Sequence, residues 1–256
     1  MKIKIQLNDQ EYHVDLAQPL DISIPLCPEG PRAWYVDPLQ IEPVRNDHFI
    51  GSIAEGGNVN FRNIFFNPHG HGTHTESSGH IDKEVISVNS VLKQFFFTAF
   101  LVSIDPEIFK NTDVVFHKPG DRIITKNQIE QAIKDVHCEA LLIRTIPNST
   151  QKKTRVYSGT NPPYVEPDGL ALMRSKGIKH LLLDLPSVDR EVDGGRLQAH
   201  HAFWHSGFKE DQNCTITEMI YVPDEIKDGH YLLNLQTAPF ENDATPSRPV
   251  LFQLNR

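Results

Sequence analysis

The stretch Asn67–His80 reads NPHGHGTHTESSGH, and its reading decides how the rest of the chain is understood. Four of the chain's 13 histidines, His69, His71, His74 and His80, fall within it. Imidazole nitrogens and carboxylate oxygens are the ligands of zinc and of manganese-like ions. His74 and Glu76 stand two apart, so in an extended segment both face the same side. Pro68 and the interspersed glycines argue against a metal-binding helix. Gly70 and Gly72 let backbone and ligands crowd closely. Ser77 and Ser78 lie beside histidine, but no nucleophile elbow surrounds them. The stretch therefore offers two or three metal ligands and one further imidazole.

A second cluster follows at QAHHAFWH, with His200, His201 and His205. It comes after DLPSVDREVDGG, a run of acids and turn formers, and loops that follow buried strands are favoured places for chemistry. Glu218 interrupts the apolar segment TITEMIY. A carboxylate buried there needs a cation or hydrogen bonds. Together the clusters supply nitrogen and oxygen ligands for two metal ions.

The chain as a whole reads as an ordinary soluble protein. It has 256 residues, 39% of them hydrophobic, and a formal net charge of -8. That length supports one large core, and the acidic balance argues against a nucleic-acid surface. No apolar run approaches the ~20 residues of a membrane span. The N-terminus, MKIKIQLNDQEYHVDL, has no apolar core of a signal peptide, so a cytoplasmic location is expected. Cys27, Cys138 and Cys214 are too few and too scattered for a disulfide framework or a thiolate zinc site.

Outward from the histidines, residues 2–7 alternate polar and apolar as a half-buried strand, NDQ makes a plausible turn, and YHVDL returns as its partner. EVISVNSVLKQFFFTAFLVSID suggests a helix leading into a buried strand that ends near Asp105. KNQIEQAIKD is a helix with an apolar stripe at Ile129, Ala132 and Ile133. EALLIRT is a buried strand. EPDGLALMRSKG is a helix from about Pro167 that stops at Gly177. IKHLLLDLPSVD is a second buried strand running into a loop. ITEMIYV, YLLNLQTA and PVLFQL are late strands. No linker or repeat interrupts the chain. The expectation is a mixed α/β single domain over residues 1–256, with 1–20 as an added N-terminal hairpin.

HGTHTESSGH resembles the HxGTHxDxPxH signature of the cyclase family, which includes bacterial kynurenine formamidase, an arylformamidase. DISIPL (21–26), LLLDLPSVDREVDGGRLQAHHAF (181–203) and DGHYLLNLQTAPFENDATPSRPV (228–250) resemble other family stretches, in the same order. The resemblance implies a swivelling β/β/α fold and a homo-oligomer, dimer or tetramer. It also implies a zinc or manganese site, often binuclear, that hydrolyses a small amide, formamide, ester or lactone. Carried over by motif, His74 is a metal ligand and Glu76 stands where the family has a bridging Asp. His80 matches the general acid/base, His200 a ligand of the second metal, and Glu218 the later bridging Glu. Trp34 in RAWY matches a substrate-stacking tryptophan, and Phe65 or Phe66 could extend that apolar wall.

The chain departs from the pattern in four places. The family's first histidine lies four before its second, and that place is Gly70 here. Either His69 or His71 then supplies the ligand; the preference is His69, with His71 turned away. The family's Asp is Glu76, whose extra methylene moves the carboxylate by about 1–1.5 Å. Ser78 stands where a proline is usual. The segment between His200 and Glu218 is longer, with the extra loop expected inside WHSGFKEDQNCT. Two other readings share these residues: a metal-binding homologue without catalysis, and a cyclase or dehydratase acting on a hydroxy-acid or polyketide-like substrate.

Overall fold

The computed structural model of the chain describes residues 1–7, 10–110, 117–205, 207 and 213–256. Lys2–Leu7 (β1) and Gln10–Asp15 (β2) form the antiparallel N-terminal hairpin in the expected register, from Lys2 opposite Asp15 to Leu7 opposite Gln10. Asn8 and Asp9 of the expected turn lie outside the described residues. The hairpin is tied to the end of the chain through a bridge from His13 to Asn255, and Val14 packs against Leu232 and Phe252.

The centre is a nine-stranded sheet. Its strands are Leu20–Asp21 (β3), His74–Glu76 (β4), Phe96–Ile104 (β5), Ala140–Thr145 (β6), His180–Leu183 (β7), Thr215–Glu218 (β8), Gly229–Asn234 (β9), Ala244–Pro246 (β10) and Val250–Gln253 (β11). Across the sheet the order is β10, β4, β8, β7, β6, β5, β9, β11, β3. β5 to β8 are parallel neighbours, and antiparallel strands flank them on both sides. Strands covered on both faces read as unbroken apolar runs, as in ALLI and HLLL. The two faces separate with a period of two. Leu141, Ile143, Leu181 and Leu183 join one core, and Ala140, Leu142 and Leu182 join the other.

Helices Lys126–Ala132 (α1), Pro167–Ser175 (α2) and Gln198–Trp204 (α3) contribute to the first core, through Ile129, Leu170, Met173, Ala199, Phe203 and Trp204. α1 begins with a capping box: the Thr125 hydroxyl accepts from the Gln128 amide, and the Gln128 side chain accepts from the Thr125 amide. α2 starts at Pro167, and the chain turns at Gly177 with φ 84°.

Two expectations are corrected. The helix before β5 is a single turn, Val88–Val91, because Lys93 and Gln94 break its apolar stripe. The strand in ITEMIYV stops at Glu218, because Met219 takes a left-handed φ of 52° and leaves the ladder. Gln198–Trp204, to which the sequence reading assigned no element, is helix α3.

His180, at the start of β7, sits in this core away from the histidine clusters. Its Nδ1 lies 2.8 Å from the Thr215 hydroxyl, and its ring lies 4.1 Å from that of Phe97. Burial, with Lys179 and Arg174 adding to it, pushes its pKa down to about 3. The unfolded chain therefore takes up a proton near pH 6.5 that the folded chain refuses until about pH 3. Stability from this group is complete above pH 6.5 and is lost as pH falls through that window, by up to about 5 kcal/mol. In His180→Gln the acid-unfolding midpoint is expected to move to lower pH. An unchanged or higher midpoint would contradict this reading.

Candidate metal and active site

The sheet brings the two ends of the sequence together. β4 and β8 pair antiparallel with His74 opposite Glu218 and Ile216 opposite Glu76. Side chains two apart on a strand share a face, so His74, Glu76 and Glu218 project to one side. Thr75 and Thr217 face the other side and touch hydroxyl to hydroxyl at 2.8 Å. All three site side chains are buried. His74 Nδ1 lies 3.0 Å from the Gly72 carbonyl and donates to it, which aims Nε2 at Glu218 Oε2, 3.4 Å away.

Two more imidazoles close on Glu76. His69 Nδ1 lies 3.0 Å from Glu76 Oε2, and His200 Nε2 lies 3.0 Å from Glu76 Oε1. Each is held from behind by an acid. Asp243 accepts from His69 Nε2 at 2.8 Å, and Asp189 accepts from His200 Nδ1 at 2.5 Å. Asp189 also accepts the backbone amides of Ala199 and His200, so one carboxylate starts α3 and fixes its first histidine. His80 follows on a single 3-10 turn, Ser78–His80. Its ring stacks on His69 at 4.1 Å, and its Nδ1 stands 3.6 Å from Asp243.

These side chains form three overlapping groups whose ligand atoms lie within 4.8 Å of one another: His69, His74 and Glu76; Glu76, His80 and His200; and His69, His80 and Asp243. Glu76 belongs to two of them, and so does His80. His80 therefore stands near enough to be a ligand as well as a proton carrier.

The electrostatics match a site built around positive charge. Burial works against charge on every group here, yet the ion pairs prevail at four of them. Burial pushes His69 down, but Asp243 and Glu76 outweigh it and hold its pKa up at about 10. Burial pushes His200 down too, and Asp189 and Glu76 hold it well above an ordinary histidine. Glu76 stays far below the usual carboxylate range despite burial, through His200 and His69. Hydrogen bonds from His69 and His80 lower Asp243 further. Glu218 is the exception: burial, then the charge of Glu76, raises it. Its Oε1 and His74 Nε2 are buried without a hydrogen-bond partner. Unpartnered buried polar atoms cost about 1–3 kcal/mol each. A donor set of imidazoles and carboxylates with two such atoms side by side fits a divalent cation.

A cavity of about 380 Å³ opens onto this centre. Its wall includes Trp34, Asn67, Ser187 and Leu197.

A family model described as "Putative cyclase" matches residues 14–190. The chain belongs to the cyclase family. Kynurenine formamidase of Bacillus thuringiensis (strain Al Hakam) is 25% identical over 240 residues, covering 93% of this chain and 96% of that protein. Kynurenine formamidase of Geobacillus thermodenitrificans (strain NG80-2) is 26% identical over 239 residues, with the same coverage. Among solved structures, a predicted metal-dependent hydrolase from Bacillus stearothermophilus superposes with a TM-score of 0.60 at 18% identity, covering 92% of this chain and 98% of that one. Isatin hydrolase A from Labrenzia aggregata, bound to benzyl benzoate, gives 0.65 at 14% identity, over 92% and 93%. The mixed α/β fold expected of the family is the fold observed.

Within this cyclase-family frame, the sequence grouping of histidines divides. His71 turns away: its Nε2 donates to the Asp37 carbonyl at 2.8 Å, and its Nδ1 accepts the Asn67 amide at 2.9 Å. His201 and His205 lie on the exposed face of α3, one turn apart, with His205 Nε2 on Asp82 at 3.0 Å. Phe65 and Phe66 do not line the cavity; Phe65 is exposed, Phe66 packs near Phe240, and Leu197 takes the expected place beside Trp34. Most of the expected extra loop, 206 and 208–212, lies outside the described residues. Asp189 and Asp243 were not singled out from the sequence. Both stand inside stretches that carry the family resemblance, in PSVD and NDATP.

Proposed function

We propose that the chain is a metal-dependent hydrolase of the arylformamidase kind, cleaving a small amide, formamide, ester or lactone. The observation that carries this reading is the buried pair His74 Nε2 and Glu218 Oε1, each without a hydrogen-bond partner, beside a carboxylate shared by two histidine groups. His69, His74, Glu76, His200 and Glu218 would hold one or two zinc or manganese ions, with Glu76 common to both positions. Such an ion, when bound, lowers the pKa of water toward neutrality and polarises a carbonyl. Asp189, Asp243 and the Gly72 carbonyl orient the three ring systems behind it. His80, partly exposed to the cavity, takes the proton from the attacking water and returns it to the leaving nitrogen or oxygen. The carbonyl carbon gains a bond to the water oxygen and loses its bond to the leaving atom. Trp34 packs against the substrate. The similarity to kynurenine formamidases supports the reaction class.

We place the enzyme in the cytoplasm as a homo-oligomer acting on a small molecule. No helix among the described residues is long and apolar enough to cross a membrane. The exposed Phe61, Ile64 and Phe65, on and beside a two-stranded excursion, support association with a second copy.

The direct test is hydrolysis of N-formyl anilines and lactones by protein stripped of metal and reloaded with zinc or manganese. Turnover is expected only after reloading. Equal activity in the stripped protein would overturn the mechanism, and tight metal binding without any turnover would favour the non-catalytic reading. His69 and His71 separate in a second measurement. His69→Ala is expected to lower metal affinity by more than the roughly 10–100-fold seen for outer-shell groups. His71→Ala is expected to leave metal affinity nearly unchanged and to lower stability by about 1–3 kcal/mol, because its two backbone partners lose their bonds. The reverse order would assign the ligand to His71.

A further inference from the structure

Trp34 and Leu197 stand on the cavity wall, and both hold a left-handed backbone, with φ of 59° and 45°. Bulky residues rarely adopt that conformation, and it persists only where surrounding contacts enforce it. Those contacts are present. The amide of Tyr35 donates to Ser158 Oγ at 2.8 Å, and the Ala33 amide donates to the Gly70 carbonyl at 3.0 Å. The Leu197 amide donates to Asp193 Oδ2 at 2.7 Å. Two apolar side chains are thus fixed at the cavity by the fold.

The charges around them are committed as well. Arg190 is the only lysine or arginine among the described residues lining this cavity. Its Nε lies 2.9 Å from Asp121 Oδ2, its Nη2 lies 3.3 Å from Asp121 Oδ1, and its Nη1 donates to the Val192 carbonyl. The guanidinium is therefore engaged with Asp121. Lys118 and Arg196 line a smaller neighbouring cavity on the far side of Asp189, Arg190 and Asp193, which border both. Glu191 and Asp193 also line the main cavity; their oxygens accept backbone amides of Gly159, Asn161, Gly195 and Leu197, and Glu191 adds to the negative charge around Arg190. Beyond the metal-ligand cluster, this wall offers apolar surface and negative charge.

We infer that the enzyme is specific for a neutral, flat substrate, an uncharged aryl amide, anilide or aryl lactone, and discriminates against one that carries a carboxylate away from the scissile bond. This inference rests on the hydrolase reading above. The cavity volume of about 380 Å³ suits such a molecule. The apolar ring lies against Trp34 and Leu197, and its carbonyl reaches His80. An added carboxylate meets Glu191 and Asp193, while Arg190, the one lysine or arginine on this wall among the described residues, is already engaged with Asp121.

The test uses the metal-loaded enzyme and two substrates of equal shape, 4-formamidobenzamide and 4-formamidobenzoate. The amide is expected to have a kcat/KM about tenfold or more above that of the acid, mainly through KM. The ratio should shrink in 1 M salt, where screening reaches about 3 Å, and again in Glu191→Gln. Equal rates, or a preference for the acid, would overturn the inference while leaving the hydrolase intact. Calorimetric binding of both compounds separates the remaining outcomes. Tighter binding of the amide without turnover of either would uphold the pocket's preference and remove the hydrolase reading. Binding of neither would overturn the inference.

Discussion

Replacing His80 by alanine is expected to lower turnover by about 10²–10⁴-fold, the usual scale of a general acid/base, while the protein keeps its metal. The expectation comes from position. His80 is partly exposed to the cavity, whereas His74 and His200 are buried. Its Nδ1 faces Asp243 at 3.6 Å, which leaves the other ring nitrogen for the substrate. The same ring also falls within the group containing Glu76 and His200, so geometry permits a ligand role too. Metal content after gel filtration decides between the two. Full occupancy with lost turnover assigns proton transfer, and loss of one equivalent of metal would make His80 a ligand. His80→Gln separates them further. It keeps a polar group of similar reach but cannot take up and release a proton near neutral pH, so it should fail as alanine does.

Much of this site was legible because its parts lie close together in sequence. His74 and Glu76 are two apart on a strand, and that spacing alone sets them on one face. Trp34 was legible only through the family resemblance, since a lone aromatic gives no local sign of a cavity. The second cluster was legible as a group but not in its division. An α-helix turns about 100° per residue, so adjacent His200 and His201 point apart, while His201 and His205 share the opposite face. α3 was given no element from the sequence, because its three histidines were read for their chemistry and its apolar residues, Ala199, Phe203 and Trp204, are too few over seven residues to stand out as a stripe. Asp189 and Asp243 were missed for another reason. Asp243 meets His69 from 174 residues away, and no local pattern encodes such a pair. The excursion at Gln40–Pro43 and Arg62–Phe65 gave no signal either: Arg62–Phe65 is exposed throughout, and Gln40–Pro43 alternates over only four residues.

Neutralising Glu218 is expected to move the metal-free and metal-loaded proteins in opposite directions. In the metal-free chain Glu218 is a liability. It is fully buried, faces the charge of Glu76, and leaves Oε1 without a partner. Glu218→Gln removes that buried charge from beside Glu76 and should leave the metal-free protein as stable or more stable. With metal present the same carboxylate becomes the opposite charge that a cation needs across from His74, 3.4 Å away. A ligand that binds only the folded state stabilises it by about 2.7 kcal/mol at a hundred times its dissociation constant. For a chain of this size that raises Tm by about 5–10 °C. The wild type should show that shift on adding zinc or manganese, and Glu218→Gln should lose most of it together with turnover. A carboxylate serving only to brace β8 against β4 would give the other pattern, with lower metal-free stability and an intact metal shift. The two outcomes differ in sign, so one pair of melting curves for each protein, with and without metal, distinguishes a ligand from a brace.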